Sequence, residues 1–326
     1  MIQQKADPDF SDSMLWQKVE SCPLCGSVRR HLSVRAPDAH YGNPGLFAVF
    51  ECDACKAQFL DPMPTEAYLA GAYPTDYYSY QAAHAGIRNS KLIKRIKTVV
   101  RYAIYFHALK TKDPRFRAPG TMLDIGCGSG RFLVEMRDKG WQVHGVEVSE
   151  AAAKLGRQLS GLDIFAGTLD QAMFPEASFD YIRSNHSFEH IHNPGEILTE
   201  IRRILKPGGR LFIGVPNVHG WAARRFGPHW WYLGAPVHTF GYDPQSLSRL
   251  LRSHGFEVVK VQYNSTYAGI FGSLQIYLNS KKGRASDEGW IIDNPVLKIA
   301  GHWAARITDL FKTGDCIEVI AQPHEG

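Results

Sequence analysis

Residues 121–130 read TMLDIGCGSG. Four residues of β-branched or apolar character (Thr121, Met122, Leu123, Ile125) surround one acid, Asp124, and lead into Gly126, Gly128 and Gly130, which alternate with Cys127 and Ser129. The apolar run reads as a buried strand. Three glycines in five positions let the backbone approach another group with no Cβ between them. The helical pattern GRFLVEMRDKG follows at once. Strand, glycine loop and helix in that order open an α/β unit whose loop can lie against a ligand.

The alternation continues downstream. WQVHGVEVS (141–149) is a second strand, after which Ser149 caps a helix over EAAAKLGRQL. DIFAG (163–167) and FDYIRSN (179–185) are strands three and four. NPGEILTEIRRILKPGG (193–209) is a helix with proline near its start and Pro-Gly-Gly at its stop. GRLFIGVP, the helix DPQSLSRLLRSHGF and the strand EVVKVQYN follow, and the strand-like DCIEVIAQ (315–322) comes later. The expected fold class is α/β.

The chain has 326 residues, 44% hydrophobic and 21% charged, enough for a real core. It contains no internal repeat. The N-terminal MIQQKADPDFSDSM lacks a basic and an apolar signal region, and VVRYAIYF (99–106) is too short to span a bilayer. A soluble cytoplasmic protein is expected. The net charge of +5 is uneven: residues 91–117 hold nine basic residues against Asp113 alone, so the remainder of the chain is net negative. This segment reads first as the solvated face of a helix near 91–109. It could instead attract a nucleotide-linked sugar or an anionic membrane. Nucleic acid is not expected, because no groove-reading module stands beside the charge.

Cys22 and Cys25 stand in SCPLCGS and Cys52 and Cys55 in FECDACKAQ, two C-x-x-C pairs separated by 26 residues. Two such knuckles supply four thiolates to one tetrahedral zinc. Four cysteines close the coordination sphere, so the expected zinc is structural. Disulfides and unrelated buried thiols are the competing readings; a cytoplasmic protein disfavours the first, and chance rarely gives paired knuckles. Cys127 and Cys316 read as packing residues.

The glycine loop alone is a weak signal. It reads G-x-G-x-G, not the G-x-G-x-x-G of dinucleotide sites. Glu147, 17 residues beyond Gly130, ends the second strand, where a carboxylate can accept from two ribose hydroxyls. Alone it would be a solvated strand-end charge; with the loop it makes a nucleoside site.

At this point LDIGCGSGRFL, VHGVEVS, FDYIRSNHSFEHIHNP and ILKPGGRLFIGVPN resemble successive motifs of class I S-adenosylmethionine-dependent methyltransferases, over about residues 118–263. The double knuckle, with FLDPMP and YPTDYYSY after it, resembles a zinc-bearing bacterial branch that includes sugar C- and O-methyltransferases. The resemblance implies a Rossmann-like seven-stranded sheet whose last strand is antiparallel, with EVVKVQYN and DCIEVIAQ as the final hairpin. The implied domains are a small zinc ribbon at 1–65, a helical aromatic and basic connector at 66–117 that covers the cleft, and a methyltransferase domain at 118–326 with an insertion at about 264–314.

The implied function is methyl transfer from S-adenosylmethionine to a sugar, nucleotide-sugar or glycan, on oxygen or carbon, with nucleotide- and lipid-linked acceptors both open. Methylation of a quinone, polyketide or other small molecule is the alternative, and a non-catalytic zinc- and nucleotide-binding scaffold is a reading of another class. By resemblance, Asp124 sits near the methionine amine, and Gly126, Cys127, Gly128 and Gly130 border the methionine and ribose. Glu147 and Val148 hold the ribose side, and Gly167, Thr168 and Leu169 border the adenine. Asn185 and His186 line the methyl-donor end. No Asp stands at 168 or 169 to meet the adenine amine.

A hydroxyl or acidic C–H acceptor must lose a proton, and histidines titrate near neutral pH. His238, between strand five and the next helix, is the first candidate base and His186 the second. His229 and Tyr77, Tyr78 and Tyr80 stand behind them. Each histidine taken singly is more often structural, and Glu189-His190 reads as a helix-start element. No second metal cluster is expected in the α/β part. GPHWWYLGAPVHTF (227–240) reads either as core or as a platform for a sugar ring. From Val296, apolar residues at 296, 299, 300, 303, 304, 307, 310 and 311 mark one helical face, expected to pack on the body, with a dimer face or an interfacial anchor as alternatives.

Overall fold

The computed structural model describes residues 10–72 and 118–324. The basic segment 91–117 and Tyr77, Tyr78 and Tyr80 therefore lie outside the described residues, as does most of the connector.

In chain order, the N-terminal strands are β1 (Arg30–Pro37), β2 (Leu46–Cys52) and β3 (Gln58–Leu60). β4 (Thr121–Ile125) leads into helix α1 (Arg131–Arg137). β5 (Gln142–Glu147), α2 (Glu150–Ser160) and β6 (Asp163–Ala166) follow. Next come β7 (Phe179–Asn185), α3 (Pro194–Ile204) and β8 (Leu205–Pro216). The chain continues through β9 (Phe240–Gly241), α4 (Pro244–Ser253), β10 (Phe256–Tyr263), α5 (Pro295–Leu310) and β11 (Cys316–Pro323).

Seven strands form the main sheet in the order β10-β11-β8-β7-β4-β5-β6. β11 runs antiparallel to both neighbours, while β8, β7, β4, β5 and β6 pair in parallel. This is the Rossmann-like order with a reversed seventh strand. Its central strands β4, β7 and β11 are buried on both faces, as is the C-terminal half of β8, as a sheet covered on two sides requires, while the edge strands β10 and β6 are partly exposed. Met122, Leu123, Ile182 and Ile213 are fully buried, each worth about 1.5–3 kcal/mol. Local signals set the helix starts. The Ser149 hydroxyl accepts from the Ala152 N–H, and Asp243 and Ser246 form a reciprocal capping box at α4.

β1, β2 and β3 form a second, antiparallel sheet, completed by β9 from the far side of the sequence. Phe240 faces Phe59 and Gly241 faces Gln58. The two sheets share apolar packing: Cys22, Cys52, Cys55, Phe59 and Met63 belong to one cluster with Leu123, Ile125, Phe188, Ile213 and Tyr242. His219 bolts the sheets together, with Nε2 2.9 Å from Glu51 of β2 and Nδ1 3.1 Å from Asp243.

The expectation for α5 needs correction. The helix forms where its pattern predicts, but Val296, Trp303, Ile307 and Leu310 are exposed, as is Phe311 just beyond it, and the helix buries Gly301 and Ala305 instead. A Cβ at Gly301 would stand 2.6 Å from Phe271 and 2.7 Å from Tyr267. The small residues allow that close approach, and it turns the apolar stripe outward. No helix among the described residues is long and apolar enough to cross a membrane.

Candidate active site

The loop after β4 lies at the carboxyl end of the sheet, where open α/β sheets hold their ligands. All three of its glycines have positive φ: 70° at Gly126, 57° at Gly128 and 78° at Gly130. Two of them are demanded by the protein itself. A Cβ at Gly126 would meet the Ser187 Cβ at 2.4 Å, and one at Gly130 would meet Leu162. Ser187 closes over the loop by donating its hydroxyl to the Ile125 carbonyl at 2.8 Å.

The loop also spends its N–H groups internally. Gly126 and Cys127 donate to the Val146 carbonyl, Gly130 donates to the Cys127 carbonyl, and Gly128 donates to the Glu147 carboxylate at 2.8 Å. A diphosphate cradle would keep such donors for its ligand. Their use here argues against a dinucleotide site, as the G-x-G-x-G spacing does, and is compatible with a ligand that brings no phosphate.

Glu147 ends β5 and is 9% exposed. Its second oxygen accepts from the Ser149 N–H at 3.0 Å. Burial raises its pKa, and the Ser149 and Gly128 N–H groups oppose that shift. Beside it Val148 is 73% exposed, an apolar side chain left open to solvent. Gly167 donates to the Glu147 carbonyl at 3.0 Å. The Thr168 N–H donates to the Gln171 side chain at 3.0 Å, and Leu169 is buried.

Asp124 is buried and ion-paired to Arg183, its register partner on β7, at 2.5 Å. The Arg183 guanidinium lies over the Phe132 ring at 4.0 Å. Arg183 was missed at the sequence level. Burial raises the Asp124 pKa, and Arg183 opposes that shift. Cys127 is half-buried, and its Sγ fills the place a Cβ at Gly145 would take.

At the far end of the cleft the structure gathers what the sequence scattered. His186 follows β7 with φ 52°, a left-handed conformation unusual for a side-chain-bearing residue, and donates its N–H to the Gly214 carbonyl at 2.7 Å. Its ring stacks on Tyr232. The Asn185 Oδ1 is buried without a hydrogen-bond partner.

Glu189 is 1% exposed, and neither of its oxygens has a hydrogen-bond partner. His186 Nδ1 is 3.6 Å from it and His238 Nε2 is 3.9 Å away, both beyond hydrogen-bond distance. The His190 and His238 rings meet edge to face at 4.7 Å. Burial works against the Glu189 charge, but the surrounding imidazoles outweigh it and hold the carboxyl at about 2. Burial, with His190 adding to it, pushes His238 down to about 3. A histidine titrating near neutrality was expected here; desolvation overrides that expectation and keeps the ring neutral.

Among the described residues Glu189, His190 and His238 also form one of two groups able to hold a metal, each offering an atom within 4.8 Å of the others. The expectation of no second metal cluster is thus corrected; sequence distance hid it. His192 instead bonds the Pro64 carbonyl, and His229 packs on Tyr277, lining a separate cleft with Ile276 and Arg284. His238 lines a cleft between the two sheets with Phe59, Leu60, Trp230 and Tyr232.

The other group is Cys22, Cys25, Cys52 and Cys55, all free thiols. Cys22 and Cys55 Sγ are 3.6 Å apart, and Cys25 and Cys52 Sγ are 3.5 Å apart. A tetrahedron of Zn–S bonds of about 2.3 Å has edges of about 3.8 Å, so the spacing fits zinc. Each knuckle turns through a positive φ after its second cysteine, 72° at Gly26 and 67° at Lys56.

Comparison with known proteins places the chain. It belongs to the family described as "Methyltransferase domain", whose model matches residues 96–261. It is similar to a Mycolicibacterium smegmatis protein named "Probable S-adenosylmethionine-dependent methyltransferase", 30% identical over 42% of this chain and 52% of that protein. The chain thus spans about half the length of that relative. It is also similar to the ubiquinone biosynthesis O-methyltransferase of Idiomarina loihiensis, 29% identical over 49% of this chain and 69% of the relative. Among solved structures it resembles a chain of the Haloferax volcanii complex of the Trm112 methyltransferase activator with a methyltransferase. That match has 19% identity and a TM-score of 0.48, over 71% of this chain and 95% of that one.

Proposed function

We propose that this chain transfers the methyl group of S-adenosylmethionine to a ring-bearing small molecule. The observation that carries the reading is the glycine loop that keeps its N–H groups for itself, beside a buried Glu147 and an exposed Val148. The remaining lone pairs of Glu147 accept from the ribose hydroxyls, and Val148 offers the adenine an apolar face. Backbone at Gly126, Cys127, Gly128 and Gly130 borders the methionine and ribose, and Gly167, Thr168 and Leu169 border the adenine. Asp124 acts through Arg183 to hold the strand ends under the loop. Asn185 and His186 line the methyl-donor end.

When bound, S-adenosylmethionine supplies a methyl group already activated on a sulfonium. The protein's task is alignment, which can supply ~7–11 kcal/mol of the barrier, together with removal of the acceptor's proton. His238 is the residue we assign to that proton. Its Nδ1–H donates to the Tyr232 carbonyl at 3.0 Å, so Nε2 carries the lone pair, with the Glu189 charge nearby to offset the imidazolium. Cys22, Cys25, Cys52 and Cys55 hold a structural zinc that orders the sheet walling the acceptor side.

Two acceptor classes are supported by different observations. The N-terminal double knuckle resembles that of sugar methyltransferases. Relatives named for ubiquinone and menaquinone methylation favour a quinone-type ring. Purified protein incubated with labelled S-adenosylmethionine and panels of nucleotide-linked sugars and hydroxylated quinones tests both. Label transfer to one panel decides the acceptor. Calorimetry showing no S-adenosylmethionine binding would overturn the reading.

A further inference from the structure

We propose that Glu189, His190 and His238 bind a divalent first-row metal cation at the acceptor end of the cleft, separate from the four-cysteine site. Three observations converge. One ligand atom from each residue lies within 4.8 Å of the others. The Glu189 carboxylate is 1% exposed with no hydrogen bond within normal distance on either oxygen, so its buried charge is offset only by the imidazoles around it, His186 at 3.6 Å and His238 at 3.9 Å. Both imidazoles also donate Nδ1–H to a backbone carbonyl, His190 to Val237 at 2.8 Å and His238 to Tyr232 at 3.0 Å. Metal-ligating histidines are held in this way: the carbonyl fixes the tautomer and leaves Nε2 as the ring's ligand atom.

Two nitrogens and a carboxylate suit manganese, iron, cobalt or zinc better than magnesium, which prefers an all-oxygen shell. Three protein ligands leave positions open, the pattern of a working metal and not of a structural one. Ser187, two residues before Glu189, closes over the glycine loop, so the cluster lies next to the donor end.

The catalytic consequence rests on the proposed methyl transfer; binding of the cation does not. A cation here would hold an acceptor hydroxyl oxygen and lower its pKa, the proton leaving to solvent water. The oxygen lone pair then forms the O–CH3 bond as the S–CH3 bond breaks, and that electron pair stays on sulfur as a thioether. In this form His238 is a ligand, and the direct proton transfer described above belongs to the metal-free protein.

The test is Mn2+ titration of zinc-loaded protein, followed by the loss of the free-ion paramagnetic resonance signal, without S-adenosylmethionine or acceptor. Mn2+ is chosen because thiolates bind it poorly. One Mn2+ per chain is expected in the wild type. Glu189→Gln and His238→Asn should each weaken binding at least tenfold, with zinc content retained as the sign of intact folding. No uptake by wild-type protein at millimolar Mn2+ overturns the site, as does uptake unchanged in both variants. If either variant loses its zinc, the wild-type stoichiometry decides. Mn2+ uptake without methyl transfer supports the site and counts only against the activity, whereas S-adenosylmethionine binding without Mn2+ uptake does the reverse.

Discussion

The two ends of the cleft differ in how their polar groups are satisfied. At the glycine loop, both oxygens of Glu147 accept backbone N–H groups, Asp124 has Arg183, and the loop amides bond within the fold. At the other end Glu189 lacks donors on both oxygens, and so do the Asn185 Oδ1 and the Tyr242 hydroxyl. Apart from the buried Arg183 Nε, which has no partner, these groups of the first end are satisfied without a ligand. The second keeps unspent bonding capacity, which is costly in a buried site unless something arrives to use it. Recognition of a common donor can be built into local backbone, whereas recognition of a particular acceptor draws on side chains from distant elements.

The largest effect should come from removing the support of the second end. Cys22→Ser opens the four-thiolate cluster, and a structural zinc supplies folding energy on the order of 10 kcal/mol. Loss of zinc by elemental analysis and a collapsed thermal melt are expected. Any protein that stays folded should still bind S-adenosylmethionine, and a parallel loss of that affinity would show the two ends to be one unit.

His238→Ala attacks the same end chemically. It should lower turnover by roughly 10²–10⁴-fold while leaving S-adenosylmethionine affinity nearly intact. Because burial holds His238 at about 3, the wild-type rate should show no limb near the ordinary histidine pKa. A limb there that disappears in the variant would mean the ring is far better solvated than its packing implies.

Glu147→Ala tests the first end. Losing a charged acceptor costs about 1.5–3 kcal/mol, roughly ten- to a hundred-fold in S-adenosylmethionine affinity. Unchanged calorimetry would remove Glu147 from the donor site. The variant should not alter Mn2+ uptake.

The smallest effect lies at the bolt between the sheets. The Asp243 hydrogen bond, then Glu51, raise the His219 pKa above its ordinary 6.5, and burial opposes the shift. The protonated ring therefore stabilises the fold fully below the unfolded-state pKa, and that contribution disappears as pH rises through the raised value. Melting temperature should fall modestly between slightly acid and alkaline pH, with a shallower dependence in His219→Gln. Identical slopes in the two proteins would exclude the bolt.

What was legible in the sequence was local. Strand β4, its glycines, the Ser149 cap and the paired knuckles are each written in a few adjacent residues. The reversed β11 followed from the family resemblance. Glu189 was read as a helix-start residue because its partner His238 is far away in the chain, and no periodicity joins them. Arg183 sits mid-strand in an apolar run, and only the β4–β7 register reveals that it faces Asp124. The α5 stripe shows a different limit. Periodicity reports that a helix has two faces, while the close contact of Gly301 with Phe271 and Tyr267 decides which one turns inward.

The pairing of β9 with β3 fixes an order of assembly. Phe59 pairs with Phe50 on one side, but it cannot acquire its β9 partner until Phe240 has been synthesised, by which point β4 to β8 have already been made. The sheet that carries Cys52, one of the four knuckle cysteines, therefore keeps the β3 edge open until β9 is made. Domains made early usually fold early; here strands made before β4 are closed by one made after β8.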